Sequence, residues 1–152
     1  MTMIVNGLTE LKEQAGADLG ASGWLEITQE RIDQFADATN DHQWIHVDPV
    51  KAADGPFGRT VAHGYLTLSL VVPLFFELLD VKGVKMSINY GLNKVRFPAP
   101  VPAGSKIRLA AVLAEVEDVA PNGVQIVADL TVEVEGSGKP ACIAQALYRH
   151  YA

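Results

Sequence analysis

The chain has 152 residues, 49% of them hydrophobic, with 12 basic and 18 acidic side chains and a formal charge of −6. That length and composition suit one globular domain with its own core and exclude a disordered chain. The acidic balance carries no positive stripe, so a nucleic-acid grip is not expected.

In chain order, the N-terminal MTMIVNGLTELKEQ lacks a charged start followed by an apolar run. It reads as no signal peptide, and a cytoplasmic location is expected. Within it and just beyond, GLTELKEQAG predicts a short surface helix. GWLEI alternates as a strand does. Thr28 is placed to cap a helix starting at Gln29, with Ile32, Phe35 and Ala36 on one face, fading near Thr39. Asp48 followed by Pro49 forms an N-cap and first-turn pair for a second short helix, PVKAAD, stopped by Gly55. GPFGRTVAHG is a glycine-rich loop. From Gly64 to about Asp80 almost every position is apolar, predicting a helix buried on all sides and kinked at Pro73. Its core, YLTLSLVVPLFFELL, is too short for a membrane span.

The second half is read as strands. KMSINYGLNKVRF is one, with Gly91 marking a bulge. SKIRLAAVLAEVED follows, then the turn PNG. VQIVADLTVEVE puts Val124, Ile126, Ala128, Leu130, Val132 and Val134 on one face and polar residues on the other, a half-buried antiparallel strand. GSGKP turns into ACIAQALYRHY. A single α+β domain over residues 1–152 is expected, with a long antiparallel sheet covering one apolar helix. The lone cysteine, Cys142, excludes an internal disulfide and is expected as a small core residue. Tyr148 and His150 on the last strand are expected to be structural.

The stretch NDHQWIHVDP, residues 40–49, concentrates proton-handling groups. Asp41 and His46 stand five apart in what reads as a loop between helices. A carboxylate and an imidazole converging on one water can share acid and base work near neutral pH. On spacing alone, Asp41 capping a turn beside a surface His46 is the favoured account of the pattern. No paired cysteines and no His-Glu-x-x-His pattern accompany these residues, so no metal is expected. Neither GPFG nor AHGYL fits a nucleotide-binding loop.

Three motifs in order, DHQWIHVDP, GRTVAHGYL and VRFPAPVPAG, resemble the MaoC-like (R)-specific enoyl-CoA hydratase family, which also includes dehydratases running the reverse reaction. The resemblance spans roughly residues 22–150. It falls on Asp41, His46 and Asp48, on His63-Gly64 and on residues 95–98. Asn40 stands where the family commonly has glycine, and Gln43-Trp44 where it commonly has Asn-Pro. The resemblance implies a hot-dog fold, pairing into a homodimer through edge strands.

It further implies (R)-specific hydration of a trans-2-enoyl thioester, or the reverse dehydration, with Asp41 and His46 as the catalytic pair activating water. No separate cofactor is implied, because coenzyme A or acyl carrier protein belongs to the substrate. The backbone N–H of Gly64 is the expected donor to the thioester oxygen. His63 would orient the loop or the substrate, or make a structural hydrogen bond. Trp44 would line the acyl tunnel or shape the loop, and Asn40 would sit near the water or hold a turn. A hot-dog thioesterase and a non-catalytic acyl-thioester-binding subunit are the competing readings.

Overall fold

A computed structural model describes residues 1–152. Its architecture is a sheet of six strands laid over one long helix, with short helices filling one end. The strands in chain order are β1 (Met3–Asn6), β2 (Asp18–Ala21), β3 (Leu25–Glu26), β4 (Leu79–Lys82), β5 (Met86–Arg96), β6 (Lys106–Val119), β7 (Gly123–Val134) and β8 (Cys142–Tyr151). The helices are α1 (Gly7–Lys12), α2 (Gln29–Thr39), α3 (Trp44–Val47), α4 (Pro49–Ala53) and α5 (Gly64–Leu78).

The large sheet runs β2-β6-β7-β8-β5, with β3 also pairing β6, and all of its pairings are antiparallel. The alternation in β7 places its six apolar side chains in the core, none more than 7% exposed. They meet the inward rows of β6 (Ile107, Leu109, Ala111, Leu113) and β8 (Cys142, Ala144, Ala146, Tyr148) in one cluster with α5. Each fully buried aliphatic side chain there contributes about 1.5–3 kcal/mol. Cys142 packs inside, and burial pushes its thiol up to about 11. The fold is α+β, of the hot-dog type.

Three features differ from expectation. First, GWLEI contributes only the two-residue β3, Leu25 and Glu26, paired with Ile107 and Lys106 of β6. Second, β1 pairs in parallel with β4 as a separate two-stranded sheet, an element the sequence did not announce. Third, α5 is not buried all round. Leu66, Leu70, Val71, Leu74, Phe75 and Leu78 face the sheet, but Tyr65 and Phe76 are 71% and 48% exposed, with Ser69 and Pro73 between them. The sheet covers one side of the helix, and the helix continues past Pro73 to Leu78.

The expected bulge at Gly91 is present, and a second irregularity lies between Leu92 and Lys94. No helix is long and apolar enough to cross a membrane.

Burial also ties stability to pH. His150 is 3% exposed, bonded through Nδ1 to Ser87 Oγ at 2.7 Å, and desolvation lowers its pKa below 6.5. His46 is lowered for the same leading reason. An unfolded chain therefore binds more protons than the native one just below the ordinary histidine value. Stability is full above about pH 6.5 and falls as pH drops through that value toward the native pKa values. Thermal melts across this range should show the decline, and His150→Phe should flatten it.

Candidate active site

The site begins at the end of α2. Thr28 caps the helix start through Oγ1, which accepts from Arg31 N–H at 3.1 Å. At the other end Asn40 adopts φ 59°, ψ 28°, the left-handed conformation, the one non-glycine residue of the chain with positive φ. This turn lets the Asp41 N–H cap the Ala36 carbonyl at 3.2 Å and swings Asp41 out of the helix. The departure from glycine at position 40 is thus conformationally matched, because asparagine is the side chain that visits this region most readily. The Asn40 side chain makes no hydrogen bond.

Asn40→Gly should leave the melting temperature nearly unchanged. Asn40→Ala should cost about 1 kcal/mol and lower activity by displacing Asp41, measured by thermal melts beside a hydration assay.

The expected loop holding His46 contains a single helical turn, α3, because the Gln43 carbonyl accepts from both His46 and Val47 N–H. His46 is 8% exposed, and its Nδ1 lies 2.6 Å from Val61 O. A carbonyl only accepts, so Nδ1 carries the proton and Nε2 keeps its lone pair. Burial lowers the pKa of His46, with the nearby His63 adding to the effect. The Val61 bond and Asp41 oppose it less strongly than burial acts. His46 is therefore a neutral imidazole at pH 7, the form a general base requires.

His63, 3% exposed, stacks on His46 with ring centroids 3.9 Å apart and planes at 24°. Its Nε2–H donates to Asp41 O at 2.9 Å, tying the head of α5 to the Asp41 backbone. Its Nδ1 is buried without a partner. Asp41, His46 and His63 each bring a ligand-type atom within 4.8 Å of the others. These three could hold a metal or handle protons, and one nitrogen of each ring is already committed, His46 Nδ1 to Val61 O and His63 Nε2 to Asp41 O.

Gly64 opens α5 next to His63. The carbonyl of His63 accepts from Leu66 and Thr67 N–H, leaving the amides of Gly64 and Tyr65 as the free first-turn donors. A Cβ at Gly64 would meet the Phe97 ring at 3.2 Å, so any other residue there requires the ring to give by a few tenths of an ångström. Gly64 and Phe97 also border a cavity of about 310 Å³, with Phe57, Thr67 and Val101.

The other residues singled out from the sequence lie further from the pair. The Trp44 ring packs against Gly55 and under the Lys51 ammonium, 4.8 Å from the ring centroid. His42 is exposed and pairs with Asp37 at 2.9 Å. Asp48 caps α4 by accepting from Lys51 N–H. Sequence reasoning missed Gln29 and Thr60: the Thr60 hydroxyl donates to the Gln29 amide oxygen, and the Gln29 amide nitrogen donates to the His46 carbonyl. A polar residue at the first position of a helix reads as ordinary helix-start chemistry, so no local signal marked either one.

The MaoC like domain model matches residues 10–135 of the chain. The chain belongs to the MaoC-like family. It is 56% identical over 145 residues to 3-hydroxyacyl-thioester dehydratase Z of Mycobacterium tuberculosis, covering 95% of this chain and 96% of that protein. Nodulation protein N of Rhizobium leguminosarum bv. viciae is 42% identical over 139 residues, covering 90% and 86%. The unliganded R-hydratase PhaJ1 from Pseudomonas aeruginosa superposes with a TM-score of 0.72 at 23% identity, over 93% of this chain and 83% of that one, and shares the fold. This MaoC-like protein is an enzyme of the hydro-lyase class, acting as a hydratase or dehydratase.

Proposed function

We propose that the protein catalyses the (R)-specific hydration of a trans-2-enoyl thioester to the (3R)-hydroxyacyl thioester, and the reverse dehydration. The thioester is carried by coenzyme A or acyl carrier protein. The observation that carries this reading is the pairing of a neutral imidazole with the Asp41 carboxylate. His46 is locked by Val61 O so that its free nitrogen is Nε2.

In the hydration direction, the pair holds a water and takes one of its protons as the oxygen bonds to C3. The electrons of the C2–C3 double bond move toward the thioester, whose oxygen gains negative charge. The Gly64 N–H, at the positive end of α5, meets that charge; loss of such a donor typically costs ~3 kcal/mol. A proton delivered to C2 completes the addition, and the thioester bond stays intact. The cavity beside Gly64 and Phe97 provides an apolar wall next to this donor.

The working unit in this reading is a homodimer. Strand β5 ends the large sheet and exposes Met86, Ile88, Tyr90 and Leu92, beside the exposed stripe of α5. A bare apolar edge strand favours pairing with another copy.

The test follows the conjugated enoyl absorbance of crotonyl-CoA together with free thiol. Absorbance loss without thiol supports hydration. Thiol release would replace it with thioester hydrolysis. Activity should fall on the acid side as His46 takes up a proton, with a midpoint below 6.5, the ordinary histidine value.

A further inference from the structure

We infer that Gln29 and Thr60 are positioning residues that hold His46 at its depth in the site through a closed hydrogen-bond circuit. The inference rests on the reading of His46 as the proton acceptor.

The circuit has four members. Thr60 Oγ1 donates to Gln29 Oε1 at 2.5 Å. Gln29 Nε2 donates to the His46 carbonyl at 2.8 Å and to Asp33 Oδ1 at 2.8 Å. His46 Nδ1–H then donates to Val61 O, the residue after Thr60. Val61 N–H in turn donates to Ile45 O at 2.9 Å. The segment Thr60–Val61 therefore grips His46 twice, directly at the ring and through Gln29 at the backbone.

The amide of Gln29 is saturated: both of its protons and its oxygen are engaged. Its orientation follows, because the His46 carbonyl can only accept and must face the nitrogen. Thr60 is 3% exposed, so its hydroxyl has no water to exchange for Gln29. Removing that hydroxyl leaves the half-buried Gln29 Oε1 without this partner and frees the amide to turn.

The geometry gives the circuit a purpose beyond stability. Gln29 is the first residue of α2, and Asp41 follows the last turn of the same helix. One rigid helix thus anchors His46 at its start and presents Asp41 at its end. α3 is a single turn, too short to hold a fixed position by itself. Without the Gln29 bond, His46 could rise toward solvent, lengthening its Nδ1 bond to Val61 and moving Nε2 relative to Asp41. A shift of about 1 Å at a reacting group can cost up to ~100-fold in rate. The titratable groups around His46 are Asp41, His63 at the head of α5 and, across Gln29, Asp33 on α2.

Thr60→Val keeps the shape and deletes the donor, whereas Thr60→Ser keeps the donor. Gln29→Leu breaks the circuit from the other side and is only half-buried, so it provides the decision if Thr60→Val fails to fold. Two readouts are needed: kcat and KM for crotonyl-CoA hydration, and the His46 titration midpoint followed by NMR. Thr60→Val and Gln29→Leu should lower kcat about ten-fold with KM nearly unchanged. They should move the His46 midpoint up toward 6.5, since desolvation is the main cause of its depression. Thr60→Ser should keep both values. An unmoved midpoint in Gln29→Leu, or Thr60→Ser failing as badly as Thr60→Val, would overturn the positioning role. The NMR midpoint needs no turnover, so a protein inactive on enoyl thioesters would sink the functional reading and leave the circuit separately tested.

Discussion

Asp41→Asn should lower kcat for enoyl-thioester hydration by about 10²- to 10⁴-fold, the usual contribution of a positioned acid–base group. KM should change little, because the carboxylate acts on water and on the reacting carbons. The substitution is clean for structural reasons. Asp41 is exposed, its side chain makes no hydrogen bond, and the contacts that place it run through its backbone: N–H to Ala36 O, and the carbonyl to His63. The melting temperature should therefore stay close to wild type, as for a surface substitution within about ±0.5 kcal/mol.

His46→Gln should cost a similar factor in kcat and also some stability, since it removes a buried ring stacked on His63. The double variant should be little worse than either single one, because two groups acting on one water lose their function together. Steady-state kinetics on the three variants, with melts beside them, checks all of this. More than a tenth of wild-type kcat in Asp41→Asn would remove Asp41 from the chemistry.

Much of this arrangement is written in local patterns. The two-residue period of β7 is visible because one face is entirely core and the other is polar apart from Val127. The caps at Thr28 and Asp48 are visible because short oxygen-bearing side chains before a helix have few other uses. The bulge at Gly91 is visible because glycine inside a strand pattern needs a reason.

What escaped notice depends on pairs distant in sequence or on segments too short to show a period. β1 and β4 are four residues each and pair across 76 positions, Met3 with Leu79. α3 is four residues long, so its helical turn and the burial of His46 left no periodic trace. Gln29 and Thr60 meet across 31 positions, and each is an ordinary residue in its own context. The exposed stripe on α5 is hidden in the sequence for a different reason. Composition records that Tyr65, Val72 and Phe76 avoid water, and it does not say whether the same chain or another one covers them.

That ambiguity leads to the second large effect expected. Ile88→Asp together with Leu92→Asp should convert the proposed homodimer to a monomer, read as mass by light scattering after size exclusion beside the wild type. Both side chains are more than a third exposed on the strand that ends the sheet. Every residue of β5 except Val95 is exposed in one chain, although Leu92 also borders a cleft against Val71 and Tyr148, so melts of the variant are read beside its mass. Two carboxylates in an apolar contact would each have to be desolvated without a partner, a cost no interface of ordinary size absorbs easily.

A variant that stays dimeric would move the contact to the α5 stripe, where Tyr65→Asp with Phe76→Asp is the next pair. The activity of the monomer carries further information. Asp41, His46, His63 and Gly64 come from α2, α3 and the head of α5 of a single chain, so the proton-handling groups survive dissociation. A monomer that hydrates crotonyl-CoA with normal kcat and raised KM would mean that the second copy supplies part of the substrate-binding wall. A fall in kcat at unchanged KM would mean instead that the second copy braces the His46 circuit.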